Sequence, residues 1–420
     1  MVKKLLLLLT VAVTALTASA VVIDGITYIW GECRGGDVSG DITIRSTYKD
    51  EYGVENKVYK ISYGAFSQNQ NITSVTVEGN NLEIVEGSAF YECSNLKWVK
   101  LNKGVKIIEE YAFLRSGIET IDLGNSLTEL QYNCFSSCKK LQSIVLPNTL
   151  TKFGMFVFDS CSSLKSVKLP ETLTALPHGI FSACTGLESI VIPEGVTEIY
   201  PYALSTCWSL KEVKLPSTLT LIQYKAFKNT TSLEKINFPS SLVWIGNMAF
   251  AESGLKEVTF PAKFGYMENA VFKNCKNLEK VIVPPGCQNF LMDETFSGCI
   301  NIKEIDVRQA TMYMSPIKLE STFSKEAYNN ATVYIPTFMN TPNWAGLNYW
   351  RNFKKVVYVE YPKGDINLDK IVDISDVSTH IDLLLGKENP EQYVRVSDIN
   401  DDKVTDVNDL NTIINKLLGK

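Results

Sequence analysis

A phenylalanine recurs along this chain at Phe66, Phe90, Phe113, Phe135, Phe158, Phe181, Phe227, Phe250, Phe272 and Phe296, with Leu204 filling the one gap. Successive spacings are 24, 23, 22, 23, 23, 23, 23, 23, 22 and 24. Self-similarity at this length, held over so many units, restricts the fold to a solenoid of stacked coils, because one such unit cannot bury its own apolar face.

Other columns keep the same register. Three residues after the aromatic stand Cys93, Cys138, Cys161, Cys184, Cys207, Cys275 and Cys299, with Asn69, Ser116, Thr230 and Ser253 as substitutes. Six residues after it come Leu96, Leu141, Leu164, Leu187, Leu210, Leu233 and Leu278. At nine and eleven residues, apolar pairs such as Val99/Leu101, Ile144/Leu146 and Ile190/Ile192 alternate with polar neighbours, the pattern of a short strand with one buried face. A proline follows at once at Pro147, Pro170, Pro193, Pro216, Pro239, Pro261 and Pro284, where it ends the strand because it has no N–H for a ladder. A second apolar pair, as in Leu173/Leu176 or Val196/Ile199, precedes the next aromatic. The expected class is an α/β-type repeat solenoid with one short strand per coil over residues 61–308.

Stacking would set the cysteines in a column about 4.8 Å apart with parallel side chains. Small polar substitutes fit such a column, and a disulfide needs converging Cβ vectors as well as proximity. The column therefore reads as a ladder of small buried thiols. Cys33, Cys134 and Cys287 lie outside it, and spacing leaves a bridge among them open.

The period breaks at both ends. Residues 21–60 are expected to form short strands around Gly35-Gly36 and Gly53 that cover the first coil. Residues 309–363 are expected to close the other end, with strands at Ala331–Pro336 and Lys355–Val359, a helical turn from Trp344 to Phe353, and a short linker from Tyr361 to Lys363. Met1 to Ala20 carries Lys3 and Lys4, an apolar run from Leu5 to Val13, and Ala18-Ser19-Ala20. That is the pattern of a secretory signal, shorter than a membrane span, so a secreted chain with no span is expected.

Only two histidines, His178 and His380, occur in 420 residues, which argues against Ser/His, Cys/His and multi-histidine metal chemistry. His178, in Pro177-His178-Gly179, reads as a surface residue. Net charge is −5, and residues 364–420 hold 12 acidic and 6 basic residues, so the rest stands at +1 and a nucleic-acid-binding surface is not expected. The outward strand positions, such as Lys211, Glu212 and Lys214, mix signs as a solvated face does. Tyr63, Tyr111, Tyr132, Tyr202 and Tyr224 precede the repeat aromatic by two or three residues, and Trp208 lies four after Leu204. Along one edge of a stack, Tyr202, Trp208 and Tyr224 would offer flat faces to a sugar or a protein; packing over the coil edge is the competing account.

A second period, of 33, begins at Gly364. Asp365, Asn367, Asp369, Asp373 and Asp376 align with Asp398, Asn400, Asp402, Asp406 and Asp409 at loop positions 1, 3, 5, 9 and 12. An EF-hand loop takes its oxygen ligands from these positions and from the position-7 carbonyl, here Ile371 and Val404, so two calcium ions are expected. An apolar helix pattern follows each loop and ends in Leu-Leu-Gly at Gly386 and Gly419. Position 6 is Lys370 and Lys403 in place of the usual glycine, and position 12 is aspartate in place of glutamate.

Units such as Ser182-Ala183-Cys184-Thr185-Gly186-Leu187 through Pro193 resemble the leucine-rich repeats of BspA-like bacterial surface proteins. The resemblance implies a right-handed solenoid, and adhesion or ligand binding at the cell surface in place of catalysis. The paired loop-helix units resemble the type I dockerin domain, a small all-α EF-hand-like module over residues 364–420. That resemblance implies docking onto a cohesin module of a scaffold protein through positions 10 and 11. Those positions are Ile374 and Ser375, then Val407 and Asn408, without the familiar Ser-Thr pair. The expected protein is a secreted, non-catalytic adhesion or ligand-binding protein. The alternative is an enzyme or protease-inhibitor component of a cellulosome-like, polysaccharide-degrading complex, since dockerins more often carry hydrolases.

Overall fold

The computed structural model describes residues 20–261, 264–283, 292–308, 321–337, 350–366, 371–386, 397–400, 402 and 404–419. Residues 1–19 of the signal segment, Cys287, and residues 344–349 of the expected turn from Trp344 to Phe353 lie outside them. Two compact units divide the chain, Met1–Pro216 and Ser217–Lys420.

In the first unit each coil has three parts. The strand expected after the cysteine is present: Trp98–Lys100 pairs in parallel with Ser74–Thr76 on one side and Thr120–Asp122 on the other. A second, two-residue strand forms on the apolar pair before the next aromatic, where Ile107–Ile108 pairs with Ile84–Val85 and Glu129–Leu130. Between them runs a turn ribbon centred on the aromatic. Its backbone bonds alternate: Ser88, Phe90 and Glu92 donate N–H to the next coil, at Glu110, Ala112 and Leu114 carbonyls. Ala89, Tyr91 and Cys93 donate within their own coil, to Glu86, Ser88 and Phe90.

This alternation needs a left-handed residue two before and two after each aromatic. Ser88 and Glu92 have φ of 55° and 55°, Tyr111 and Arg115 have 59° and 58°, and Asn133 and Ser137 have 53° and 57°. An L-residue there gives up about 1–2 kcal/mol, which the hydrogen-bonded ribbon and the buried ring must offset. The same geometry corrects the expected class. A left-handed residue on either side of the aromatic cannot sit in an α-helix, so the described coils headed by these aromatics form a β-solenoid with a turn ribbon where an α/β repeat would place a helix.

The core is a set of straight columns. Phe66, Phe90, Phe113, Phe135, Phe158 and Phe181 stack face to face, with centroids 5.2, 5.1, 5.1, 5.4 and 5.8 Å apart and planes within 12°. All are fully buried or nearly so, each ring contributing roughly 1.5–3 kcal/mol. The cysteines form the expected ladder. Cys93, Cys138, Cys161, Cys184 and Cys207 each donate a thiol hydrogen to the carbonyl of the preceding coil's aromatic, at 3.0 to 3.2 Å. Nine buried cysteines among the described residues are free thiols, Cys33 and Cys134 included.

At the N-terminal end Val21–Ile23, Ile26–Ile29 and Glu32–Gly35 form an antiparallel meander whose last strand pairs in parallel with Lys60–Ile61. A hairpin of Thr47–Lys49 and Glu55–Lys57 turns at Gly53, and Tyr48 stacks on the buried Tyr28 at 5.6 Å.

The second unit repeats the coil. Phe227, Phe250, Phe272 and Phe296 stack at 5.0, 5.6 and 5.6 Å. The column then continues onto Phe323, 5.0 Å beyond Phe296, past the last unit of the regular period. The parallel ladder continues with it: Glu304–Asp306 pairs with Thr332–Pro336, and that strand with Lys355–Val359. A helix absent from the sequence expectation, Lys325–Asn330, follows Phe323; Ser324 caps it by accepting the Ala327 N–H at 3.1 Å. Trp350 and Phe353 pack on Phe323 and close the apolar column.

Two further helices, Ile374–Leu384 and Val407–Leu417, follow the aspartate loops. They pack on each other around Ile366, Val377 and Ile413.

Candidate ligand edge and paired aspartate loops

Along the first unit, residues just before the repeat aromatic build a row of rings. Tyr111 meets Tyr132 at 5.5 Å and 90°, and Tyr132 meets Phe156 at 6.4 Å and 87°. Phe156 meets His178 at 5.0 Å and 82°, and His178 meets Tyr202 at 5.7 Å and 61°. Each ring turns its edge toward its neighbour's face, the arrangement that π quadrupoles favour. Tyr132 is 41% exposed and the other four are half-buried, so the row is packed below and open above.

Glycines make room for it. A Cβ at Gly179 would lie 2.3 Å from the Phe156 ring, so although other coils hold side chains at this left-handed position, here one would displace the ring. A Cβ at Gly87 would come within 3.2 Å of the Tyr63 ring, so Tyr63, 70% exposed, lies across the next coil where no side chain rises. Burial holds the His178 imidazole below its ordinary range, leaving it neutral at pH 7 and the row without charge.

Of the residues singled out from sequence, Tyr202 ends this row. Trp208, half exposed, stands beyond Leu204 at the other end of the turn ribbon. Tyr224 belongs to the second unit, where the Lys225 ammonium lies 4.6 Å from its ring centroid. Sequence reasoning missed Phe156 as a ring of the edge and treated His178 as an isolated surface residue. Their offsets of two and three from the repeat aromatic were the available signal.

The solvated faces carry the expected mixture of signs as coil-to-coil pairs. Glu83 meets Lys106 at 2.9 Å and Glu188 meets Lys211 at 3.3 Å in the first unit; Glu234 meets Lys256 at 2.7 Å and Glu279 meets Lys303 at 2.9 Å in the second. Exposed pairs like these contribute below about 1 kcal/mol each.

In the C-terminal loops, Asn367 and Asp369 lie outside the described residues. Asp373 and Asp406 are N-caps, each in a capping box with Asp376 or Asp409. The buried Asp376 carboxylate accepts the N–H of Ile366 at 2.6 Å and of Asp373 at 2.9 Å. Asp409, also buried, accepts those of Ile399, Asn400 and Asp406 at 2.7, 3.2 and 3.0 Å. Position 12 thus ties the start of each loop to the first turn of its helix. Asp365 is buried as well.

In the second loop the Asp402 N–H donates to Oδ1 of both Asp398 and Asn400, at 3.1 and 2.9 Å, so positions 1, 3 and 5 face one another. Asn400 Nδ2 in turn donates to Asp402 Oδ2 at 2.8 Å. The donors are hard oxygens, as calcium requires, and this convergence fits a cation. Among the described residues no group of three or more His, Cys, Asp or Glu side chains is already placed to hold one.

Ile371 and Val404, whose carbonyls would serve position 7, have exposed side chains. Positions 10 and 11, Ile374 with Ser375 and Val407 with Asn408, are all exposed on the first turns of the helices. Exposed Leu385 and Leu418 stand eleven residues on from Ile374 and Val407, so the 33-residue repeat generates two like apolar stripes.

The BspA type Leucine rich repeat region matches this chain in 6 copies across residues 59–188, 129–250 and 197–331. A leucine-rich repeat protein from Bacteroides ovatus is similar in structure, with 22% identity and a TM-score of 0.51 over 81% of this chain and 99% of that one. A leucine rich cell surface protein from Faecalibacterium prausnitzii is similar at 21% identity and a TM-score of 0.50, over 82% of this chain and 99% of its own. At these identities the likeness is one of fold. No curated protein matches the chain.

Proposed function

The chain belongs to the BspA-type leucine-rich repeat family, and from that footing we propose that it is an exported binding protein without chemistry of its own. The first unit takes a ligand on the ring row from Tyr111 to Tyr202. The C-terminal loop-helix pair docks the whole onto a scaffold.

The observation that carries the ligand reading is the continuous row of five rings from Tyr111 to Tyr202, packed edge to face and open to solvent at Tyr132, with Gly179 leaving room for the Phe156 ring. Export is read from residues 1–20, and among the described residues no helix is long and apolar enough to cross a membrane.

The docking reading rests on the two loops and their twin apolar stripes. Asp365, Asn367, Asp369, Asp373 and Asp376 with the Ile371 carbonyl would hold one calcium ion; Asp398, Asn400, Asp402, Asp406 and Asp409 with the Val404 carbonyl would hold a second. Each ion would neutralise its loop's clustered carboxylates. Ile374, Ser375, Val407 and Asn408 would then meet a cohesin module, and the internal repeat gives two equivalent ways of doing so.

The test is a pull-down with the full chain from envelope and secreted fractions of the producing cells, with calcium and with a chelator. Capture of a cohesin-bearing protein only with calcium is expected. Capture indifferent to the chelator, or to exchange of Ile374 and Val407 for aspartate, would refute docking. For the ligand edge, the Tyr132→Ala chain should lose its solenoid ligand while keeping the scaffold.

A further inference from the structure

The orientation of the rings says what kind of ligand the edge is built for, an inference that rests on the proposal that this edge is the ligand surface. From Tyr111 to His178 each ring stands nearly perpendicular to the next, at 90°, 87° and 82°. Any one ring orientation can therefore recur no sooner than every second coil, about 10 Å along the stack at twice the inter-strand spacing. A globular protein partner has no reason to match such a period. An extended β-1,4-linked glycan does: its sugars advance along the chain by nearly one coil spacing each, and alternate sugars turn over, so the same face returns every second residue. Sugar faces rich in C–H groups pack on aromatic rings without needing charge, and this row has none, with His178 neutral between Phe156 and Tyr202.

We propose that the ring row Tyr111–Tyr132–Phe156–His178–Tyr202 binds a neutral, extended β-1,4-linked polysaccharide lying parallel to the stacking direction, one sugar per coil. Its spacing selects against α-1,4 chains, which curl. Four coil steps separate Tyr111 from Tyr202, so the site accepts about five sugars at one per inter-strand spacing. Tyr132 and Phe156, at the middle of the row, contribute most.

Isothermal titration of the full chain with cellohexaose, mannohexaose, xylohexaose and chitohexaose, and with shorter members of whichever series binds, tests this. At least one β-1,4 hexaose should bind, with affinity rising ten-fold or more from disaccharide to pentasaccharide and then levelling. Maltohexaose, the α-1,4 control, should bind at least ten-fold more weakly. Tyr132→Ala and Phe156→Ala should each weaken binding ten-fold or more with circular dichroism unchanged, whereas Lys168→Ala on the strand face should leave it intact. Equal binding of maltohexaose, or binding indifferent to both ring variants, would overturn the assignment. If no hexaose binds and an extracellular protein is instead retained in a Tyr132-dependent way, the glycan class is wrong and the ligand edge stands. If neither is retained, both fail.

Discussion

The thiol ladder makes this fold sensitive to alkali in a way that can be worked out thiol by thiol. In the first unit, burial pushes Cys33, Cys93, Cys138 and Cys207 up to about 12 and holds Cys134, Cys161 and Cys184 well above the ordinary thiol value. In the unfolded chain the same thiols ionise near the ordinary value of about 8.5–9. Because the folded-state pKa is raised, the stabilisation is whole below pH 8.5 and is lost as pH climbs toward 12; the unfolded chain sheds protons that the folded one retains. Between pH 8 and 10 each thiol then removes on the order of 1 kcal/mol from the folding free energy, and the seven of the first unit together remove on the order of 10 kcal/mol. That is comparable to the whole stability of an ordinary domain, about 5–15 kcal/mol. Urea unfolding followed by circular dichroism, under reductant at pH 7, 8, 9 and 10, should show a midpoint that holds to pH 8 and collapses by pH 10. Cys184→Ala should be less stable at pH 7 by about 1.5–2.5 kcal/mol, through the lost thiol contact and the small cavity. Above pH 9 the same variant should lose stability less steeply than the parent, by about 1.4 kcal/mol per pH unit, one proton's worth. A midpoint unchanged from pH 8 to 10, or a Cys184→Ala slope equal to the parent's, would refute the ladder as a set of buried neutral thiols.

Two further substitutions probe the edge and the tail. Gly179→Ala must accept a left-handed backbone and a Cβ against the Phe156 ring, so it should destabilise the chain by about 1–2 kcal/mol in urea and displace the ring, which a loss of solenoid ligand together with unchanged scaffold capture would report. Asp409→Ala leaves the Ile399, Asn400 and Asp406 N–H groups without their acceptor and undoes a capping box, a loss of about 2–4 kcal/mol within the tail; limited proteolysis should cut between residues 397 and 419 in this variant while sparing the solenoid, and resistance equal to the parent's would count against that role.

The core was legible from the sequence because its columns depend only on the period. Every ring from Phe66 to Phe181 stacks where the count of 22 to 24 places it, and each column cysteine donates to the carbonyl that the same count predicts. What the period conceals is whatever shifts it. Phe323 follows Phe296 by 27 residues, and the coil it heads runs through the helix Lys325–Asn330, with Glu326 and Asn329 where the cysteine and leucine columns would fall, so it looks in sequence like the end of the repeats. The class was misjudged for a related reason. The columns fix which residues are buried but leave the backbone between the strands open, and only the angles at positions such as Ser88 and Glu92 show a left-handed ribbon there; nothing in those side chains announces that conformation.

The ligand edge was half visible because two physical demands share its positions. A ring two or three residues before Phe135 or Phe158 must cover the coil, which any bulky side chain does, and must also meet the neighbouring ring edge to face, which only aromatic groups do. Tyrosine counts alone pick out Tyr111, Tyr132 and Tyr202 and pass over Phe156 and His178, which complete the contact between them. The decisive residue is the one with no side chain. Gly179 is unremarkable in a sequence with 25 glycines, yet its missing Cβ is what lets the Phe156 ring lie between Tyr132 and His178. The ring itself fills that space, so any side chain at Gly179 would displace a member of the row and break its contacts with Tyr132 and His178 before it improved the packing of the coil.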